Sequence, residues 1–106
     1  MRELVWLEGE VRTPPFSAEA RHEAGVLLRR LQNGENIGMP HSRPMPTIGG
    51  GCHELRIPDA DKNWRIMYAI ADGCIVVLEV FNKTTQETPE RVIRNCKRRL
   101  SAFLEE

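Results

Sequence analysis

The segment from residue 52 to residue 81 constrains the fold more than any other part of the chain. Three stretches of this segment show an apolar pattern with a period of two: Cys52–Ile57, Trp64–Ile70 and Ile75–Phe81. The turn-forming sequences Pro58–Asn63 and Asp72-Gly73 separate them, which predicts three strands joined as antiparallel hairpins. The third stretch is almost continuously apolar, so we expect an interior strand that is covered on both faces.

Two amphipathic helices are expected on either side of these strands. The first begins at Ser17, a favourable N-cap, and its apolar residues recur every three or four positions up to Asn33-Gly34. The second has Thr88 as its cap and Pro89 at its first position. The residues expected to point inward from this second helix are Val92, Ile93, Cys96, Leu100, Phe103 and Leu104.

The remaining segments complete a simple layout. Leu4–Leu7 is a short apolar run that predicts a strand, which Thr13-Pro14-Pro15 ends. Residues 34–51 show no periodicity and contain three prolines and three consecutive glycines, so we expect a long irregular connection. The order strand, helix, three strands, helix predicts an α+β fold for residues 1–106, a single domain whose antiparallel sheet of about four strands packs against two main helices.

Composition limits the kind of protein this chain can be. With 106 residues, 41% of them hydrophobic, it can bury one modest core. Its 15 basic and 15 acidic side chains cancel, so any anion site must be local. The sequence shows neither a signal peptide nor a membrane span, which predicts a cytoplasmic protein. Cys52, Cys74 and Cys96 are far apart, as expected of reduced thiols, and no metal site is expected.

The register of the first hairpin places two arginines together. If its loop is symmetric about residues 60–61, Arg56 lies directly opposite Arg65. Opposed side chains point to the same face, and two like charges repel each other unless an anion compensates them. The hairpin therefore predicts either an anion site or a neutralising carboxylate at this position.

The second hairpin brings a lysine to the same end of the sheet. If its turn has two residues, Arg65 faces Val80, and Lys83 extends just past the ladder near Lys62. Guanidinium groups can hold phosphate oxygens bidentately and stabilise the additional charge of a phosphoryl transition state without a metal. The alternative is an ordinary charged rim, in which Glu54 neutralises Arg56 on the same face.

Other polar residues allow both a structural and a functional interpretation. His53 is either a general acid or base or a packed structural histidine, since it shares a face with apolar residues. Tyr68 is either a core residue or a platform for base stacking or proton donation. His22 and His41 have no evident companions. The second helix also carries basic residues that form either a solvated face or an RNA contact: Arg91, Arg94, Lys97, Arg98 and Arg99.

Four segments in order resemble one known family. Residues Pro46–Arg56, with the sequence PTIGGGCHELR, resemble the glycine loop and E-L-R strand of phage-derived HigB-like toxins of the RelE/HigB superfamily. Trp64–Tyr68 is similar to their aromatic-Arg-x-x-Tyr strand, and Phe81–Pro89 is similar to their F-x-K-K-T-x-x-T-P segment. Leu31–Glu35 resembles the family's L-Q-x-G-E turn.

The resemblance implies a RelE-like fold and a toxin of a type II toxin–antitoxin system that cleaves messenger RNA, commonly in the ribosomal A site. It implies an antitoxin partner, of the helix-turn-helix DNA-binding type, and places Arg56, Arg65 and Lys83 where such toxins carry RNA-binding or catalytic side chains. Two features depart from the pattern. Thr84 stands where the family usually has a second lysine, and the net charge is zero.

The resulting hypothesis is a metal-independent, cofactor-free endoribonuclease. Arg65 and Arg56 would hold the scissile phosphate while a ribose 2′-hydroxyl attacks it, and Lys83 would stabilise the leaving oxygen or transfer a proton. Glu54 would orient Arg56, with His53 and Tyr68 as secondary candidates. The proposed RNA contacts are Arg91, Arg94, Lys97 and Arg98. Two alternatives remain: a RelE/ParE-like binding module that blocks gyrase or the ribosome without cleavage, and an inactive toxin kept as a corepressor.

Overall fold

The computed structural model describes residues 1–7, 9–11 and 14–105, and it has the predicted α+β architecture. Thr13, predicted to help end the first strand, lies outside the described residues. The elements are β1 (Glu3–Trp6), α1 (Ala18–Gln32), β2 (Ser42–Pro44), β3 (Cys52–Asp59), β4 (Lys62–Ala71), β5 (Cys74–Asn82) and α2 (Glu90–Glu105).

The sheet is mixed and has five strands in the order β1-β5-β4-β3-β2, so the prediction of about four antiparallel strands was wrong. β1 runs parallel to β5, and the other neighbours are antiparallel. The additional strand, Ser42–Pro44, lies in the segment expected to be irregular and pairs with β3. Three residues are too few to display a period of two, which explains why the pattern does not reveal it.

Each helix covers one face of the sheet, and β5 contributes to both cores as predicted. Ile75 and Val77 join the cluster beneath α1, whereas Val76 and Leu78 join the cluster beneath α2. Tyr68 is also buried in the α1 cluster, in agreement with its interpretation as a core residue.

The start of α1 and the second hairpin follow the predicted local chemistry. The Ser17 hydroxyl accepts a hydrogen bond from the Ala20 N–H at 3.1 Å, as an N-cap does. Asp72 and Gly73 form the two-residue turn with φ angles of 50° and 74°. Positive φ at both positions is the conformation that matches the twist of a tight hairpin.

The predicted details of α2 need two corrections. The Thr88 hydroxyl is buried without a hydrogen-bond partner in the described residues, so it does not cap the helix. The Pro89 carbonyl accepts a hydrogen bond from the Ile93 N–H at 3.2 Å, as the residue before a helix does. The helix therefore begins after Pro89, which was expected at its first position. Leu104, predicted to point inward, is exposed. It lies in the last turn of the helix.

A β-bulge interrupts the ladder between β4 and β5. Met67 pairs with Glu79, but the next residue on β4, Tyr68, pairs with Val77. Leu78 is therefore an additional residue on β5, and it shifts the register of everything that follows it on that strand.

The bulge corrects one predicted pairing and changes which side chains share a face. Arg65 pairs with Phe81 and not with Val80, because the turn geometry fixes the register only as far as the bulge. Side chains alternate between faces, so one additional residue moves Phe81 to the face on which Arg65 lies. The buried Phe81 accordingly packs in the α2 cluster.

Arg99 was predicted to belong to the basic face of α2, but it is buried against the bulge. Its guanidinium donates to the Leu78 carbonyl at 2.8 Å and pairs with the Glu79 carboxylate at 3.1 Å. Arg99 also donates to the Glu10 carbonyl at 3.2 Å. A helical period cannot distinguish this arginine from its exposed neighbours, since the acceptors are on other elements.

We expect Arg99→Met to lower the free energy of unfolding by about 3–5 kcal/mol, because it leaves the buried Glu79 carboxylate without its cation. The neighbouring substitution Arg98→Met, at a side chain that is 58% exposed, should change it by less than about 1 kcal/mol. Urea denaturation of both variants measures the difference. Equal stability of the two variants would contradict this role for Arg99.

The three cysteines are free, and Cys96 is fully buried. Burial, reinforced by the nearby Glu79 carboxylate, raises the pKa of its thiol from an ordinary value of 9.0 to about 12. The folded protein therefore retains a proton that the unfolded chain releases as the pH rises above 9.0.

We expect the free energy of unfolding to fall between pH 9 and pH 12 by up to about 1.4 kcal/mol per pH unit on account of this thiol. Urea denaturation across this range should show a shallower decline for Cys96→Ala. Cys74→Ala, at the partly exposed cysteine, is the matched control and should keep the wild-type slope. A Cys96→Ala slope equal to that of wild type would refute the assignment.

No helix in the described part of the chain has the length and apolar character needed to span a membrane.

Candidate functional site

The site is built around a buried carboxylate on β3. Glu54 has no exposed surface, and its side chain lies within ion-pair distance of four cationic side chains. The distances to Glu54 Oε1 are 3.2 Å from Arg56 Nε, 3.5 Å from Arg43 Nη2 and 3.5 Å from Arg65 Nε, and Lys83 Nζ lies 3.6 Å from Oε2. We call these four cations and Glu54 the cation cluster.

Strand register explains how three of the cations reach the same carboxylate. Arg43 on β2 lies opposite Glu54, and Arg56, two residues further along β3, shares the face of Glu54. Arg56 is in turn directly opposite Arg65 on β4, as the symmetric loop predicted. Opposed residues in an antiparallel pair share a face, so all of these side chains point toward the α2 side of the sheet.

Lys83 reaches the cation cluster because of the bulge on β5. Its backbone N–H donates to the Asn63 carbonyl at 2.8 Å, so Lys83 lies beside Asn63, one residue from the predicted neighbour Lys62. An uninterrupted ladder would pair Lys83 with Lys62, one position away, and would place its side chain on the opposite face. The convergence predicted from the sequence is therefore present, but the bulge produces it.

The cation cluster carries an uncompensated positive charge. One carboxylate faces four cations, and the Nε atoms of Arg43 and Arg65 are buried without a hydrogen-bond partner among the described residues. Burial lowers the pKa of Lys83; the Glu54 carboxylate opposes this shift, and the neighbouring arginines add to it. Burial likewise lowers the pKa of Arg65. An anion that enters the cluster would relieve this repulsion.

An open cleft of about 560 Å³ gives access to the cation cluster. We call it the phosphate cleft; its lining is predominantly polar and consists of Arg56, Asp61, Asn63, Arg65, Asn82, Lys83, Thr84, Thr85 and Gln86. Thr84, which stands where HigB-like toxins usually have a second lysine, is an exposed residue of this lining. Two guanidinium groups and an ammonium group on one wall can bind the non-bridging oxygens of a phosphate and stabilise added negative charge on them.

The structure does not bring the two secondary candidates to the cation cluster. His53 and Tyr68 pair across β3 and β4 on the opposite face, where their rings stack with centroids 5.2 Å apart. The Tyr68 hydroxyl is 2.7 Å from Ser42 Oγ, and burial raises the pKa of the phenol. Of the predicted catalytic residues, the structure groups Arg56, Arg65, Lys83 and Glu54.

The predicted RNA-contact residues Arg91, Arg94, Lys97 and Arg98 are all exposed on α2. Two of them pair with carboxylates: Arg94 lies 3.7 Å from Glu90, and Arg98 lies 2.9 Å from Glu10. These contacts are at the surface, where an ion pair contributes little and a ligand can replace it.

Sequence reasoning missed two residues near the site. Arg43 lies on the three-residue strand that the pattern did not show, and no local signal connects it with Glu54. The exposed His41, whose carbonyl accepts from the Arg56 N–H at 2.8 Å, lines a smaller cleft together with Arg56 and Arg65. Its position, two residues before Arg43, becomes informative only once the pairing of β2 is known.

No group of three or more metal-ligating side chains occurs within residues 1–7, 9–11 and 14–105. The side chains that converge at the site are cationic, and they suit an anion directly.

Fold and site together define a small α+β protein with four cations around a buried carboxylate on one face of a mixed sheet. The chain belongs to the phage-derived Gp49-like protein family, whose profile matches residues 15–101. This family is associated with RelE-like toxins of toxin–antitoxin systems, which confirms the resemblance at this broader level and implies an antitoxin partner. No curated protein matches the chain.

Proposed function

We propose that this protein is a HigB-like toxin of a type II toxin–antitoxin system and a metal-independent endoribonuclease that cleaves messenger RNA. The observation that carries the proposal is the cation cluster, in which four cations surround one fully buried carboxylate at the phosphate cleft. An RNA phosphodiester supplies the anion that the cluster lacks, and its ribose supplies the nucleophile.

The reaction requires no external nucleophile. The 2′-oxygen attacks the adjacent phosphorus in line and forms a P–O bond while the P–O5′ bond breaks. The products are a 2′,3′-cyclic phosphate and a 5′-hydroxyl end, so the proton lost by the 2′-hydroxyl is balanced by one gained at the 5′-oxygen. Arg56 and Arg65 hold the non-bridging oxygens, on which charge accumulates in the transition state.

Lys83 and Glu54 have different roles in this proposal. Lys83 lines the phosphate cleft, and its lowered pKa makes proton donation to the leaving 5′-oxygen easier than it is for an ordinary lysine. Glu54 lies behind the cations with no exposed surface, so it positions Arg56 and Arg65 and does not exchange protons with RNA.

The partners follow from the same chemistry. Cleavage of translated messages takes place in the cytoplasm on the ribosome, and the exposed cations of α2 contact RNA phosphates there. A helix-turn-helix antitoxin that binds this toxin keeps it silent and represses their shared operon. An acidic segment of the antitoxin over the phosphate cleft would block the cation cluster directly.

Cell-free translation tests the function. The purified protein is added to a translating extract, and the 5′ ends of the message are mapped at single-nucleotide resolution. New ends within translated codons support the proposal, and their loss when translation is blocked before the ribosome binds the message identifies ribosome dependence. Arrested translation with an intact message would contradict it and would indicate a ribosome-blocking binder. Unaffected translation with an intact message would also contradict it, and would leave a ParE-like gyrase blocker or an inactive corepressor.

A further inference from the structure

A second cleft, of about 410 Å³, adjoins the cation cluster. It lies between the loop that follows β2 and the start of α2, and its lining consists of Arg43, Pro44, Met45, Pro46, Thr47, Gln86, Glu87, Thr88 and Ile93. Its volume is in the range of clefts that hold small organic molecules, roughly 300–1,000 Å³. We call it the side cleft.

Gln86 connects the side cleft with the phosphate cleft, and Arg43 connects it with the cation cluster. Gln86 lines both. Arg43 lines only the side cleft, although its Nη2 lies 3.5 Å from the Glu54 carboxylate at the centre of the cation cluster. Arg43 is thus the member of the cation cluster that also lines the side cleft. A ligand in the side cleft would therefore be adjacent to a phosphate bound at the cluster.

The lining of the side cleft combines apolar surfaces with unused polar groups. Pro44, Met45 and Ile93 supply apolar contact area, and the Met45 sulfur lies 3.6 Å from Arg43 Nη2. The Thr88 hydroxyl is buried without a hydrogen-bond partner in the described residues, as is Arg43 Nε. Buried polar groups in folded proteins are normally paired, so these two groups beside the side cleft lack a partner that a ligand could supply.

We infer that the side cleft binds the nucleoside next to the scissile phosphate, with its base against the apolar wall and the Thr88 hydroxyl hydrogen-bonded to it. The inference rests on the proposed function and adds a nucleotide subsite to it. A base has apolar faces and a polar edge, which matches this lining. The exposed Glu87 carboxylate would repel a phosphate, so the phosphate lies on the Arg43 side and only the nucleoside extends toward Glu87.

A nucleoside explains the position of the side cleft better than a peptide of a partner protein does. The side cleft adjoins the cation cluster through Arg43, and a nucleoside is covalently attached to the phosphate that such a cluster would bind. A peptide in the side cleft would need an additional acidic side chain to reach the cation cluster.

Thr88→Val tests the inference, because it keeps the shape of the side chain and removes only the hydroxyl. Since that hydroxyl has no partner among the described residues, the variant should be as stable as wild type. Thr88→Ser, which keeps the hydroxyl, is the matched control. The probes are inorganic phosphate and the 3′- and 5′-monophosphates of adenosine and uridine, with affinities measured by calorimetry.

We expect at least one nucleotide to bind wild type about tenfold more tightly than inorganic phosphate does. Thr88→Val should reduce that nucleotide affinity about five- to tenfold and leave phosphate binding unchanged, whereas Thr88→Ser should retain it. In wild-type protein, NMR should show shifts of the Met45 and Ile93 methyl groups on addition of the nucleotide but not of phosphate.

Three results would overturn the inference. Nucleotides that bind no more tightly than phosphate would exclude the subsite while leaving the anion site of the proposed function intact. Wild type that binds neither phosphate nor nucleotide would remove both the subsite and that anion site. A Thr88→Val variant with wild-type nucleotide affinity but weakened antitoxin binding would assign the side cleft to the protein partner instead.

Discussion

Replacement of Arg65 by alanine will abolish growth arrest and reduce the rate of RNA cleavage by at least about 100- to 1,000-fold. Arg65 lies opposite Arg56, its side chain is only 14% exposed, and its Nε is 3.5 Å from the Glu54 carboxylate. The substitution removes a fixed donor from the wall of the phosphate cleft, where it would contact the charge that develops on the phosphate. The measurements are growth after induction and the cleavage rate of the purified protein.

The Arg65→Ala protein should remain folded, since the substitution also removes one of four mutually repelling cations from around Glu54. Circular dichroism and antitoxin binding test this point. Arg94→Ala is the matched control, because that side chain is 67% exposed on α2 and is outside the cation cluster. It should weaken RNA binding modestly and keep the cleavage chemistry. A folded Arg65→Ala variant with wild-type toxicity would refute the assignment.

Glu54→Gln will have the largest effect on stability within the site. Glutamine fills the same volume but lacks the charge, so four cations lose the carboxylate that holds them together. We expect the free energy of unfolding to fall by about 3–5 kcal/mol, the usual cost of breaking a buried ion pair. Cleavage should fall as well, because the repelled guanidinium groups no longer hold the geometry that the phosphate requires.

Urea denaturation with and without inorganic phosphate measures this effect. Phosphate should stabilise Glu54→Gln more than it stabilises wild type, since the bound anion replaces the missing carboxylate. Glu90→Gln is the control, because Glu90 is 84% exposed and pairs with Arg94 at the surface. It should change the free energy of unfolding by less than about 1 kcal/mol. A Glu54→Gln protein as stable as wild type would show that the carboxylate does not organise the cation cluster.

The part of the site that depends on short turns could be predicted from the sequence. The loop around residues 60–61 is symmetric, so it fixes the pairing of Arg56 with Arg65, and period-two alternation then places Glu54 on their face. The central strands and both helices follow from local patterns for the same reason. Each of these inferences uses residues that are near one another in the chain.

The remainder depends on contacts that local patterns do not record. The bulge at Leu78, which brings Lys83 to the cation cluster, is stabilised by Arg99 of α2, 21 residues further along the chain. Arg43 joins the site through a strand of three residues. Arg99 and Arg98 are adjacent basic residues, yet only Arg99 is buried, because its acceptors lie on β5 and before α1.

The central claim is that the cation cluster promotes attack by the RNA's own 2′-hydroxyl. The most direct test is a message carrying a single 2′-deoxynucleotide immediately 5′ of the mapped cleavage position, incubated with the protein and ribosomes in the presence of a metal chelator at a concentration that ribosomes tolerate. We predict that cleavage at that position disappears, while the all-ribose message yields 2′,3′-cyclic phosphate and 5′-hydroxyl ends. Continued cleavage of the deoxy-substituted message at the same position would contradict this mechanism.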